Sequence, residues 1–243
     1  MLLSLDTSTL TLSLALVEAG GALKAEAVYG PPTRQSELLP EAVKEFLSAQ
    51  GTSLEKLDGF LVGLGPGSFT GLRIGLATVK GFAYALHKPV AGASSLAAAA
   101  LDGPEGVPLF ALAEARKGEV YLGQFVRQGT ALEAFGPEVA MPVAEAGKKV
   151  SETRGAVALG PGVAAYQGAL LAAGAKAEQL LDAAPFPRAA NLGHLVSAPA
   201  ALELPALFSL EPRYVMGSGA ENNPKFPAPA GPEPTARLKG ETE

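Results

Sequence analysis

Residues 63–75, GLGPGSFTGLRIG, place five glycines in thirteen positions at the start of a run with helical spacing. Gly65, Gly67 and Gly71 let a backbone take left-handed conformations or come close to another group. A loop between a buried strand and a helix N-terminus aims its N–H groups outward, with the helix dipole behind them, and that is the arrangement of an anion site. Ser68 adds a hydroxyl. Arg73 falls in or near the first turn of the following helix, where a cation opposes the dipole, so it calls for a carboxylate or phosphate partner or for an ion pair with a local acid. Three motifs with this chemistry do not fit. A Walker phosphate loop ends in Gly-Lys-Ser/Thr, but Leu72 follows Gly71. A hydrolase nucleophile elbow needs glycines two residues either side of its serine, and Ser68 has Pro66 and Thr70 there. A dinucleotide fingerprint needs a third glycine where Thr70 stands. The stretch reads either as a loop with a role beyond connection or as a tight strand-to-helix link.

The elements around it follow from periodicity. Residues 2–18 alternate, with Leu10, Leu12, Leu14 and Leu16 on one face, which predicts a hairpin of strands 2–6 and 10–18. Asp6-Thr7-Ser8-Thr9 forms its turn, with side chains suited to bonding nearby N–H groups. A third strand is expected at 22–29. After Pro31-Pro32, Leu38, Leu39, Ala42, Val43, Phe46 and Leu47 recur at helical spacing, with Ser36 as N-cap and Gly51 as stop. That wide stripe suits a helix packed on its own sheet, or one that also packs against another chain. A buried strand at 59–64, a helix at about 72–86, a strand at 89–92 and a helix through Ala100 capped by Ser94-Ser95 complete the first unit. The order predicts a mixed sheet with helices on its faces.

At Asp102-Gly103-Pro104 the pattern restarts. Strands are expected at 107–113 and 119–127, joined by the turn EARKGE, then a helix near 143–150, a strand at 156–160, and helices at about 163–173 and 188–198. The expected units are 1–102, carrying the glycine loop and the apolar helix, 103–215, repeating the first in outline, and a Pro/Gly-rich tail at 216–243.

Composition removes several function classes. The 243 residues are 48% apolar, enough for a substantial core, and carry a formal charge of −5, which does not suit a chain that grips nucleic acid alone. With no cysteines, disulfides, thiolate metal sites and cysteine nucleophiles are excluded. Two histidines, His87 and His194, cannot build a His-rich metal site. His87 precedes Lys88-Pro89 and reads as a helix C-terminal cap. The start, MLLSLDTST, lacks the basic region of a signal peptide, and no uncharged apolar run is long enough to span a bilayer, so a cytoplasmic location is expected.

GLGPGSFTGLRIGLATVKGFAYALHKPVAGASSLAAAA at 63–100 resembles the signature of the bacterial YeaZ/TsaB family. LSLDTST at 3–9, RQSELLP at 34–40 and EARKGEVY at 114–121 resemble it at the corresponding places. The resemblance implies a two-lobed actin-like ATPase (ribonuclease H-like) α/β fold, with mixed sheets and flanking helices. It implies membership of the complex that attaches threonylcarbamoyl to the adenosine beside the anticodon of ANN-decoding tRNAs. The implied partners are a homologous metal-bearing catalytic subunit of the TsaD type and a small P-loop ATPase of the TsaE type, with a homodimer in isolation, tRNA met only through the complex, and no membrane.

The same resemblance implies that the chain is not itself an enzyme and holds no metal or cofactor. Aligned on Pro89, the His-x-x-x-His metal pair of the catalytic subunit falls at Ser95 and Ala99, neither of which replaces an imidazole. Gln35 stands where a histidine is common. Asp6, Thr7, Ser8 and Thr9 lie where actin-like kinases carry an Asp-x-Gly-x-Thr phosphate loop, with Ser8 in the glycine position. ALGPGV at 158–163 stands where they carry adjacent glycines for adenosine. Gly65, Gly67, Ser68, Gly71 and Arg73 complete this set of degenerate nucleotide-side loops. On this reading Leu38, Leu39, Ala42, Val43, Phe46 and Leu47 form the partner interface. The alternative is an active actin-fold, ATP-dependent phosphotransferase built on Asp6 and the glycine loop.

Overall fold

The computed structural model describes residues 1–30, 35–196, 207 and 209–215, with the side chains of 35–38 outside that description. Strands β1 (Leu2–Asp6), β2 (Leu12–Val17) and β3 (Leu23–Tyr29) open the chain as an antiparallel meander. Helix α1 (Gln35–Ala49), β4 (Gly59–Gly63), α2 (Phe69–Leu86), β5 (Val90–Ala93) and α3 (Ser95–Ala100) follow. The five strands form one sheet in the order β3-β2-β1-β4-β5, with β4 parallel to both β1 and β5.

Both faces of this sheet are covered, so β1 and β2 are apolar and buried throughout. Leu3, Leu5, Leu14 and Leu16 point to the face carrying α1 and α2, where they meet Leu39, Val43, Phe46, Leu76 and Val79. Leu2, Ala15, Val17 and Leu61 point to the other face. The alternation expected for 10–18 holds from Leu12 onward, whereas Leu10 sits in the turn and is 69% exposed.

The second sheet comprises β6 (Pro108–Glu114), β7 (Glu119–Gln128), β8 (Ala131–Pro142) and β9 (Val157–Leu159), in the order β8-β7-β6-β9. Helices α4 (Val143–Glu152) and α5 (Pro161–Ala172) pack on one face around Phe110, Leu112, Val120 and Leu122. Helix α3 packs on the other through Leu96, Ala97 and Ala100, while its Ala98 faces the first sheet, so all six of its residues are buried between the two layers. A run of alanines suits this position, since small side chains let a helix sit close to two sheets at once.

Strand β8 corrects the sequence reading, which found no element between 128 and 142. It lies on the sheet edge, half-exposed, with Gly136-Pro137 in its middle and a register shift opposite Leu122–Gln124. An edge strand tolerates proline and lacks the strong apolar alternation of a covered strand. The expected unit 103–215 also does not stay together in space. Helix α6 (Ala189–Leu195) leaves the second sheet and packs on β1, β2 and α3 through Ala189, Ala190 and Leu192. Ser4 Oγ donates to Ala189 O at 2.6 Å, and Ala189 N–H donates to Ser13 Oγ at 2.9 Å. The tail 216–243 lies outside the described residues.

Leu39, Ala42, Val43, Phe46 and Leu47 are each at most 6% exposed, and the cause is the lobe's own core. Of the two readings of this stripe, the structure shows the helix packed on its own sheet. These five side chains offer no surface to another chain in this conformation. Leu38 lies outside the described side chains. Among the described side chains, the outward positions of α1 are Pro40, Glu41, Lys44, Glu45, Ser48 and Ala49.

Candidate functional site

The glycine loop is fastened to the turn after β1. Thr7 Oγ1 donates to Gly71 O at 2.8 Å, and Ser68 N–H donates to Ser8 O at 2.7 Å. A β-carbon on Gly67 would stand 2.3 Å from Ser8 O, so only glycine allows the loop to approach the turn this closely. Gly65 has φ +86°, the left-handed conformation that reverses the chain after β4. Its N–H donates to Ser95 Oγ at 3.1 Å, and Ser95 N–H returns a bond to Gly65 O at 2.9 Å.

Asp6 sits at the centre, 1% exposed. Its Oδ1 accepts from Ser8 N–H at 2.8 Å and Ser8 Oγ at 2.6 Å, and its Oδ2 accepts from Ser95 Oγ at 2.6 Å. Burial pushes its carboxyl above the ordinary range, and the bonds from Ser8 and Ser95 partly offset that. Thr9 closes a local turn, its Oγ1 donating to Thr11 O at 3.2 Å.

This geometry bears on how the residues present suit the implied ligands. Four of the loop amides are spent inside the protein: Gly65 N–H on Ser95, Ser68 N–H on Ser8, Gly71 N–H on Ser68 Oγ at 3.2 Å, and Leu72 N–H on Ser68 O at 2.9 Å. Ser68 acts as the N-cap of α2, which begins three residues earlier than the periodicity suggested. Both oxygens of Asp6 face protein hydroxyls or amides, which leaves them badly placed to hold hydrated metal beside a phosphate. Ser95 Oγ bridges Asp6 and Gly65, and Ala99 is buried, so the pair of positions does not fit a metal. Among the described residues, no group of three or more His, Asp or Glu is placed to hold a metal ion.

Arg73 turns away from this cluster. Its guanidinium carbon lies 4.0 Å from the Phe69 ring centroid, and its Nε donates to Tyr214 Oη at 3.0 Å. Among the described residues its partners are aromatic faces and a hydroxyl rather than a local acid. At the corresponding loop of the second sheet, Gly160 (φ +102°) and Gly162 pack on the backbone of Leu112. His87 closes α2 in a left-handed conformation, with its N–H bonding back to Ala83 and Tyr84 carbonyls.

The sequence reading missed two groups. Ser95 reads in the sequence as a helix cap and as an absent ligand, whereas its hydroxyl joins the loop to Asp6. Glu138, on the unread β8, accepts from Ser94 Oγ and pairs with Arg213 at 3.7 Å, beside a cavity of about 370 Å³ lined by Ala93, Ala97, Phe125 and Leu195. A two-residue signal was present, since Ser94 and Ser95 are adjacent at a helix start, but nothing local in the sequence points across to 138.

Two sheets of matching strand order with helices on their faces define the two-lobed actin-like ATPase fold. The profile of the family described as TsaD: tRNA N6-adenosine threonylcarbamoyltransferase matches residues 33–209. YeaZ from Pseudomonas aeruginosa superposes with a TM-score of 0.64 at 30% identity, covering 80% of this chain and 89% of that one. A second crystal structure, of an uncharacterized protein with similarity to peptidase YEAZ from Pseudomonas aeruginosa, gives a TM-score of 0.71 at 27% identity over 88% and 99%. The tRNA threonylcarbamoyladenosine biosynthesis protein TsaB of Haemophilus influenzae is 36% identical over 130 residues, 52% of this chain and 54% of that protein. The matched stretch thus spans about half the length of that curated relative. The chain belongs to the threonylcarbamoyltransferase family, in its YeaZ/TsaB branch. Among the described residues, no helix is long and apolar enough to cross a membrane.

Proposed function

We propose that this chain is a non-catalytic scaffold subunit for threonylcarbamoylation of the adenosine beside the anticodon in ANN-decoding tRNAs. It works by docking to a homologous catalytic subunit of the TsaD type, with a small TsaE-type ATPase in the same assembly. Alone it pairs with a second copy. Its acidic balance fits a subunit that meets tRNA only within the complex, and a cytoplasmic location follows from that role. The named relative acts in this biosynthesis.

The observation that carries the reading is Ser95. The position that would supply a metal-binding imidazole in the catalytic relative instead holds a hydroxyl bonded to Asp6 and Gly65, with Ala99 one turn on. A hydroxyl that joins two loops suits a structural part at this position better than a metal ligand. Docking is assigned to the layer of α1 and α2. The inward stripe of α1 fixes that helix, and the outward face of α2, with Phe69, Arg73, Ala77 and Tyr84 at helical spacing and exposed, meets the partner.

The test is reconstitution. Purified chain, the catalytic homologue and the ATPase from the same organism are assayed on tRNA substrate together and with each omitted. Transfer is expected from the full set and lost without this chain. Transfer by this chain alone overturns the proposal.

A further inference from the structure

Residues 207 and 209–215 return to the first sheet and cross the N-terminal half of α2. Leu207 is 3% exposed in the core between the sheet and helices α1 and α2, and Leu210 packs on the same cluster. Arg213 N–H donates to Leu64 O at 2.8 Å, at the end of β4. The Tyr214 ring lies 5.3 Å from that of Phe69, and its hydroxyl accepts from Arg73. A groove of about 360 Å³ remains between this stretch and the helix, lined by Arg73, Ala77 and Lys80 on one side and Leu210, Glu211 and Pro212 on the other.

The two ends of this stretch are held unequally. Leu207 is locked in an apolar core. Tyr214, Phe69 and Arg73 are all exposed, and so is the Arg213 side chain, although its partner Glu138 is mostly buried. Exposed cation–π contacts and exposed ion pairs are individually weak. Apart from the Arg213 N–H bond to Leu64 O, this end is held by contacts weaker than the burial of Leu207. Beneath it lie Phe69, Arg73 and Ala77, while Gly81, Tyr84 and Ala85 further along the same helix are exposed. A chain docking along α2 meets this segment over the N-terminal half of the helix.

We infer that residues 209–215 are a tethered strap that covers half of the α2 docking face in the free chain and is displaced when a homologous chain of the same fold docks. The inference rests on the docking surface proposed above. The affinity of the free chain is then reduced by the fraction of time the strap lies down. Because Arg213 on the strap also pairs with Glu138 of the second sheet, displacement releases that link between the strap and β8.

Hydrogen exchange on the full chain, free and bound to its catalytic homologue, tests this. Peptides covering 69–86 are expected to gain protection on binding, while those covering 209–215 lose it, with the Arg213 amide as the direct reporter. Gain at both places means the strap is part of the interface and overturns the inference, as does no change at 209–215. No gain at 69–86 in a complex that nonetheless forms sinks the docking surface, and the strap with it. A second measurement is the affinity of Tyr214→Ala for the same partner. A rise of about threefold or more is expected from the loosened cover; no change or a fall overturns the inference.

Discussion

The centre of the site is one carboxylate, and its surroundings decide what it does. Asp6 holds Ser8 and Ser95 in place, and through them the turn and the glycine loop. Its ionisation is disfavoured by burial. The unfolded chain therefore loses this proton first, and the contribution of Asp6 to stability falls as pH rises above its ordinary value of 3.8. Asp6→Asn keeps the shape and removes the titration. Its stability relative to the parent is expected to improve as pH rises from about 4 toward neutrality, read from urea unfolding midpoints across that range. A midpoint difference independent of pH contradicts the assignment. Gly67→Ala makes the complementary test of close approach. Its β-carbon meets backbone at Ser8, which cannot rotate away, so a loss of about 1–3 kcal/mol is expected in the same unfolding experiment. The types of residue in this site were legible from the sequence, because glycines before a helix and an Asp-Thr-Ser-Thr turn each have a local meaning. Their mutual fastening was not. Ser95 lies 89 positions from Asp6, and a hydroxyl carries no pattern that announces such a partner.

Periodicity served well wherever an element had one clear apolar face, and α1 shows both the strength and the limit of that signal. Its stripe was readable, yet a stripe alone does not say what covers it. Phe46 and Val43 are 4% and 0% exposed against the chain's own sheet. Phe46→Ala is therefore expected to cost about 3–5 kcal/mol of stability, and a charge at Val43 to unfold the first sheet. Either change abolishes association only by abolishing the fold. A circular-dichroism melt run beside a binding assay separates the two, and a fully folded Val43→Asp chain that fails to bind would return the interface to the stripe. The short segment before β4 makes the same point for a polar residue. Lys88 donates to the carbonyls of Leu54, Glu55 and Leu57, capping the turn at 54–56 from the segment that leads into β5. Nothing around residue 88 in the sequence suggests that role. Strand β8 was illegible for the opposite reason, since an edge strand with Gly-Pro in the middle has neither period nor composition to mark it.

Across the whole molecule, β8 completes a symmetry the sequence showed only in outline. β1-β2-β3-α1-β4-α2 and β6-β7-β8-α4-β9-α5 run in the same order, and their sheets share the same strand arrangement around the first strand of each. What breaks the symmetry is the return of α6 to the first sheet, and that return ties the two halves together. Arg188, just before α6, pairs with Glu26 on β3 and with Asp102 at 3.5 Å, while Asn191 Nδ2 donates to Asp102 Oδ1 at 3.0 Å and to Ala98 O at 2.8 Å. Among the described residues, one buried oxygen of Asp102 has no partner, and the other is held by Arg188 and Asn191. Removing the guanidinium leaves that carboxylate further uncompensated, and Arg188→Ala is expected to lose about 1–2 kcal/mol. The more telling outcome concerns cooperativity. In the parent, exchange of β1–β2 amides and of β6–β7 amides through global opening should share one free energy, because α3 and α6 bind both sheets or their junction. In Arg188→Ala the first-sheet amides should weaken more than the second-sheet amides, since α6 covers β1, β2 and β4. Equal loss in both sheets would mean that α6 is not the element coupling them.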